Sequence, residues 1–310
     1  MPLKIACLGE CMIELRHRTE TELELAFGGD TLNTAVYLAR LLKGHDARID
    51  YVTAIGHDRY SDQMLALFEA EGLSTDHVLR LKGRLPGLYT IHTDEVGERA
   101  FTYWRDRSAA RRRLIEARGE KILEALADHD LVYVSGITLS IFDAPQRATL
   151  FDLAETIRLR GKRVAFDSNY RPAGWRDTDV ARRVFDDMER HSSVTLPTLF
   201  DDRALYGSQN AEACVERLRA LGVPDIAVKL NREGAYVAAD GFAGYVPTTP
   251  VEPVVDTTAA GDAFNAGYLA ARLTGQPPED AAALGNRLAA RVISHPGAII
   301  PKDAMADITL

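Results

Sequence analysis

The sequence predicts an α/β protein with a central, mostly parallel sheet, helices on both faces and a small β-strand lid. Two patterns carry that expectation. Short apolar strand candidates alternate with helical stretches along most of the chain, the rhythm of strand–helix–strand units. Two other segments break the rhythm with extended, alternating patterns suited to strands outside the main sheet.

The buried-strand candidates are residues 5–8, 51–55, 131–134, 164–166, 194–196 and 226–229, all short and apolar. Helical patterns fall between them at 31–42, 62–71 and 211–221. Residues 10–26 run extended and partly polar after the first strand. Residues 87–105 read as two strands joined by a turn around Glu95-Val96-Gly97-Glu98. Tyr89, Ile91 and Thr93 share one face of the first arm, and Phe101, Tyr103 and Arg105 one face of the second. An antiparallel pair inside a parallel chain is most simply a flap over the end of the sheet where open α/β folds bind ligands. Its unpaired edges favour covering by a second subunit, so a homo-oligomer joined through the lid strands is expected. No repeat, low-complexity tract or Pro/Gly/Ser-rich linker divides the chain. Residues 1–310 therefore read as one domain, with lid segments at about 10–27 and 85–106.

Composition narrows the function classes. With 310 residues and 46% apolar content the chain can bury a large core. No segment approaches the roughly 18 apolar residues of a membrane helix, so no membrane partner is expected. A net charge of −8 argues against non-specific nucleic-acid binding but leaves local anion sites open. The run Arg111-Arg112-Arg113 reads as a solvated helix face. Cys7, Cys11 and Cys214 lack the partners of a disulfide framework or zinc site and read as reduced structural thiols. No basic region followed by an apolar stretch opens the chain, and a cytoplasmic location is expected.

The most informative segment runs from Val254 to Gly267 (Val254-Val255-Asp256-Thr257-Thr258-Ala259-Ala260-Gly261-Asp262-Ala263-Phe264-Asn265-Ala266-Gly267). The two valines are expected to end a strand, and a helix follows with Phe264, Gly267, Tyr268 and Ala271 on one face. A small-residue turn at a helix start exposes backbone N–H groups without intrahelical partners, an anion site suited to phosphate. Asp262 at that point can take the proton of an attacking hydroxyl, or it can simply cap the helix. Near the start, Gly28-Gly29-Asp30-Thr31-Leu32-Asn33 sets a flexible glycine pair before a helix. Asp30 and Asn33 there offer partners for polyol hydroxyls.

Together these two segments resemble the paired signatures of ribokinase-like (PfkB) carbohydrate kinases. The resemblance implies a three-layer sandwich and ATP-dependent phosphoryl transfer to a sugar hydroxyl, with ATP carrying Mg²⁺. It makes Asp262 the base and Ala259, Ala260 and Gly261 the anion hole, with Gly28, Gly29, Asp30 and Asn33 around the acceptor. Further segments are similar to 2-keto-3-deoxygluconate kinases: Gly9-Glu10-Cys11-Met12-Ile13-Glu14-Leu15, Arg84-Leu85-Pro86-Gly87-Leu88-Tyr89, Gly97-Glu98-Arg99, Tyr103-Trp104-Arg105 and Phe166-Asp167-Ser168-Asn169-Tyr170-Arg171-Pro172. That likeness places Tyr89, Tyr103, Arg105 and Arg171 around the substrate. A sugar acid needs a fixed cation, which a planar guanidinium supplies. For ATP it implies Asn169, Arg171, Thr198, Lys229, Asn231, Gly234 and Asn286 besides the amides of 259–261.

One departure concerns the metal. Where many relatives carry N-x-x-E, this chain has Thr198-Leu199-Phe200-Asp201, so no side-chain metal site is expected and Mg²⁺ is left to phosphates and water. The acceptor implied is 2-keto-3-deoxygluconate at its terminal hydroxyl. 2-Keto-3-deoxygalactonate, fructose and nucleosides remain open as acceptors, as does a non-catalytic sugar-acid sensor.

Overall fold

The computed structural model describes residues 2–93, 99–113 and 125–310. The turn around Glu95-Val96-Gly97-Glu98 and the side chains of Arg112 and Arg113 lie outside the described residues. The strands are β1 (Leu3–Leu8), β2 (Met12–His17), β3 (Leu23–Gly28), β4 (Ala47–Ile55), β5 (Val78–Arg80), β6 (Gly87–Thr93), β7 (Arg99–Trp104), β8 (Leu131–Ser135), β9 (Arg163–Asp167), β10 (Val194–Thr195), β11 (Asp225–Lys229), β12 (Ala235–Ala239) and β13 (Phe242–Val246). The helices are α1 (Asp30–Leu41), α2 (Arg59–Ala70), α3 (Ala109–Arg113), α4 (Gly136–Ile141), α5 (Ala144–Leu159), α6 (Thr178–Arg190), α7 (Leu199–Tyr206), α8 (Ala211–Ala220), α9 (Ala260–Leu273) and α10 (Pro278–Ile293).

Nine strands form the main sheet in the order β13-β12-β11-β10-β9-β8-β1-β4-β5. All neighbours from β11 to β5 pair parallel, and β12 and β13 close one edge antiparallel. Both faces are apolar because successive side chains of each central strand point opposite ways. Ile5, Cys7, Leu131 and Tyr133 enter one core layer with α1, α9 and α10, while Ala6, Leu8, Val132 and Val134 enter the other with α4, α5 and α6. The three-layer expectation is met.

From β1 the chain steps to β4 and β5 on one side, and later through β8 to β11 on the other. This reversal opens a crevice beside β1 at the carboxyl ends of the strands, where α/β sheets gather their ligands. Gly9 and Glu10, Ser168 and Asn169, Thr198 and Leu230 all follow strand ends there.

β2, β3, β6 and β7 build a second, four-stranded sheet in the order β3-β2-β6-β7. β6 and β7 pair antiparallel with Tyr89 opposite Tyr103 and Ile91 opposite Phe101, as the alternation predicts. β2 joins the two hairpins by pairing parallel with β6.

One expectation fails. Val254 and Val255 lie in an irregular connection with exposed side chains, not at a strand end. Among the described residues they pair with no strand, and the Val255 amide instead bonds the Ile293 carbonyl on α10.

Candidate active site

The Asp256–Asp262 turn is shaped before its helix begins. Asp256 Oδ1 accepts from the Thr258 amide at 2.8 Å, and Oδ2 accepts from the Gly297 amide at 2.9 Å. Ala259 stands at the N-cap of α9 with φ +60°, left-handed and without a side-chain capping bond. The Ala260 amide reaches the Thr257 carbonyl at 3.4 Å, while the Gly261 and Asp262 amides have no intrahelical acceptor and no side-chain cap competing for them, and they carry the positive end of the helix dipole. A Cβ on Gly261 would sit 3.5 Å from Lys229 Nζ, which places the ammonium of that strand end beside the turn.

Asp262 does not cap its helix. It lies in the first turn of α9, buried, and its Oδ2 accepts from Asn33 Nδ2 of α1 at 2.8 Å. Burial and the neighbouring Asp30 carboxylate push its pKa up to about 8, against the opposing pull of Asn33. Asp30 is raised as well, chiefly by burial; its Oδ2 accepts from Asn169 Nδ2 at 2.8 Å and its Oδ1 from the Thr31 amide. Asn169 holds φ +32°, a conformation in which its side chain reaches across the crevice to α1. Asp30, Asn33 and Asp262, expected around the acceptor, thus form one cluster with Asn169, expected on the nucleotide side.

Below it lies a network that motif reading passes over. Lys229 Nζ donates to Asp167 Oδ1 at 3.1 Å and to Asn265 Oδ1 at 3.0 Å. Asn265 Nδ2 in turn donates to Asp167 Oδ2 at 2.7 Å and to the Tyr133 hydroxyl at 3.0 Å. Thr34 Oγ1 lies 3.3 Å from both the Tyr133 hydroxyl and the Asp262 carbonyl oxygen. All five residues are buried. The available signal was a polar Asn265 within the apolar helix that carries Asp262.

The nucleotide-side expectations divide. Asn231, Ala260, Gly261 and Asn286 line one cleft of about 740 Å³ together with Thr257, Val254 and Ile293. Asn286 also holds the carbonyls of Val246 and Pro247, at 3.0 and 3.3 Å, and so fixes the cleft wall. Thr198 caps α7 by accepting from the Asp201 amide at 3.1 Å. Gly234, at φ +100°, turns β11 back into β12.

On the acceptor side Tyr89 donates to Glu14, and Arg105 pairs with Glu10. Tyr103 stands 50% exposed with its ring 5.7 Å from that of Tyr89. Burial raises its phenol, and the nearby charges of Arg105 and Arg171 oppose that rise, so both guanidiniums act on one ring. Arg171 is mostly exposed, 3.8 Å from Asp201. The glycine pair has a plainer use than admitting a polyol: a side chain on Gly28 would strike the Tyr89 hydroxyl, and one on Gly29 the Glu10 carbonyl.

The chain matches the family described as pfkB family carbohydrate kinase over residues 2–305. It belongs to that family. The protein is an ATP-dependent sugar kinase. It is 43% identical over 309 residues to a 2-dehydro-3-deoxygluconokinase of Escherichia coli K12, covering 98% of this chain and 99% of that one. A protein of the same name from Haemophilus influenzae is 39% identical over 308 residues, 98% of each chain. The crystal structure of a Thermotoga maritima 2-dehydro-3-deoxygluconokinase superposes with a TM-score of 0.84 at 20% identity, over 99% of this chain and 98% of that one. A putative E. coli ribokinase II in complex with ATP and Mg²⁺ gives 0.82 at 19% identity, over 96% and 94%. These two share the fold.

The donors around the turn suit ATP: open amides, a strand-end ammonium and an adjoining cleft. Among the described residues, Asp167 is engaged by Lys229 and Asn265, and Asp201 by the Tyr170 amide and Arg171. That set fits an ion carried by phosphates and water.

Proposed function

We propose that this kinase transfers the γ-phosphoryl group of ATP to the terminal hydroxyl of 2-keto-3-deoxygluconate, giving 2-keto-3-deoxy-6-phosphogluconate. The observation that carries the acceptor class is the pair of guanidinium charges at Tyr103: Arg105 Cζ lies 5.9 Å from its ring centroid, and the charges of Arg105 and Arg171 both oppose the burial that raises its phenol. Two guanidiniums at the acceptor suit a sugar acid, and a neutral sugar has no use for them. The names of the full-length relatives support the same reading.

In this reading Asn33 orients Asp262, which accepts the hydroxyl proton as that oxygen attacks phosphorus. The 259–261 amides and Lys229 hold the phosphate oxygens and meet the charge that develops there. Mg²⁺, when bound with ATP, supplies further neutralisation of those phosphates. Asn169, Arg171, Thr198, Asn231, Gly234 and Asn286 complete the nucleotide contacts. The β3-β2-β6-β7 sheet acts as the lid within a single domain. Its exposed Leu23, Leu25, Phe101 and Trp104 are covered in a homo-oligomer through the lid strands.

A competition turnover assay decides the acceptor. With 2-keto-3-deoxygluconate, 2-keto-3-deoxygalactonate and fructose offered together, phosphate should go to a keto-deoxy acid. Preferential phosphorylation of fructose would remove the sugar-acid reading.

A further inference from the structure

Glu10 follows β1 directly and is almost fully buried, 3% exposed, between the Gly28-Gly29 turn and the first residue of β6. Its Oε2 accepts from Arg105 NH2. A carboxylate and a guanidinium at this separation normally close a second, parallel bond. Here that bond is missing. Glu10 Oε1 and Arg105 Nε are both buried and both without a hydrogen-bond partner. Such orphans are costly in a folded protein and call for an explanation.

A Cβ at Gly87 would come within 3.0 Å of Glu10 Oε1 and 3.2 Å of Arg105 Cβ, so the space between the two side chains exists because residue 87 is glycine. A spare acceptor on Glu10 and a spare donor on Arg105 therefore border residue 87, and the Tyr103 ring centroid lies 5.9 Å from Arg105 Cζ. The complementary ligand presents an acceptor and a hydroxyl on adjacent positions. The oxygen-rich end of a sugar acid has that pattern, whereas a nucleotide phosphate has acceptors alone.

We infer that Glu10 is a substrate-specificity residue: it holds one prong of Arg105 in place and offers its free oxygen to an acceptor hydroxyl, so that the two side chains read the sugar acid as a unit. The inference rests on the sugar-acid reading above and adds Glu10 to it. A residue working through Arg105 should show losses that do not multiply with those of Arg105.

The test is a double-mutant cycle of Glu10→Gln and Arg105→Ala, assayed for kcat and KM with 2-keto-3-deoxygluconate and ATP. Glu10→Gln should raise KM for the sugar acid by roughly 10–150-fold, the usual worth of a charge-assisted bond, with KM for ATP little changed. Adding it to Arg105→Ala should cost less than threefold more. Should Glu10→Gln fail to fold, Glu10→Asp keeps the charge on a shorter arm and should still raise sugar-acid KM at an unchanged thermal midpoint. Fully multiplicative losses, or a folded Glu10 variant with wild-type sugar-acid KM, would overturn the inference. Wild-type enzyme that ignores sugar acids would instead overturn the substrate reading from which it starts.

Discussion

The two sides of Asp262 are built differently. On the phosphate side the chain relies on backbone and small residues, and the polar groups beneath are saturated. Lys229, Asp167 and Asn265 satisfy one another in the buried floor, and the Gly261 and Asp262 amides of α9 stand open because Ala259 supplies no cap. On the acceptor side the work falls to side chains from α1 and from the segments that lead into and out of the second sheet, and several of their atoms have no partner. Glu10 Oε1, Asn33 Oδ1 and Arg105 Nε are all buried and unbonded. A preformed site for phosphate thus faces an acceptor site whose hydrogen bonds are completed by its ligand. Phosphate looks alike in every relative of a kinase family, so its site can be fixed in the backbone. The acceptor is what a kinase must discriminate, and side chains outside the main sheet can change without disturbing the floor.

The largest expected effect falls where the two sides meet. Asp262→Asn keeps the Asn33 contact and removes the base, so kcat should drop about 10²–10⁴-fold with both KM values nearly unchanged. A variant retaining a tenth of wild-type kcat would break the comparison at its centre.

Lys229→Ala tests whether the floor is structural. It strands the buried Asp167 carboxylate, and losing one member of a buried pair costs about 3–5 kcal/mol. Denaturant unfolding should show that loss, together with weaker ATP binding. A stability change under ~1 kcal/mol, the scale of a surface pair, would show that the floor is not saturated in this way.

Titration separates base from cap. Because the folded pKa of Asp262 is raised from 3.8 to about 8, the unfolded chain releases that proton first, and stability falls as pH rises through this window. Asp262→Asn should therefore melt above wild type by a margin that widens from pH 5 to pH 8. In the wild type, kcat/KM should rise with pH up to about 8 as the base form appears. A flat kcat/KM profile over that range would contradict Asp262 as the base.

The smallest effect belongs to Thr198. Its hydroxyl caps α7 and is one of several nucleotide contacts in the reading above, so Thr198→Ala should cost about 1 kcal/mol and raise KM for ATP no more than threefold. A large rise in that KM at unchanged stability would make Thr198 a nucleotide contact first and a cap second.

Much of this arrangement is legible in the residues. The buried strands announce themselves because both faces of the main sheet are covered, and Gly28-Gly29 and Ala259–Asp262 sit at helix starts where small residues have few other uses. The β12–β13 hairpin was legible but passed over: Asp240-Gly241, left-handed at φ +50° and +83°, is the dipeptide that tight hairpin turns demand. Val254 and Val255 mislead for the opposite reason, since two β-branched residues form a strand only where a neighbour is free to pair. The floor network is hidden because it depends on distant chain segments meeting: Tyr133, Asp167, Lys229 and Asn265 come from three strands and one helix. The Glu10–Arg105 pair joins residues 95 positions apart, and local pattern holds no trace of its missing second bond.

The claim that the acceptor side is completed by a carboxylate is tested most directly by one ratio, kcat/KM for the sugar acid over kcat/KM for its neutral amide, in wild type and in Arg105→Ala. Wild type should favour the acid by roughly 10–150-fold, and Arg105→Ala should bring the ratio close to one by losing acid turnover while amide turnover barely moves. Equal losses on both compounds would mean that Arg105 does not read the carboxylate, and the division between a preformed phosphate site and a ligand-completed acceptor site would fail.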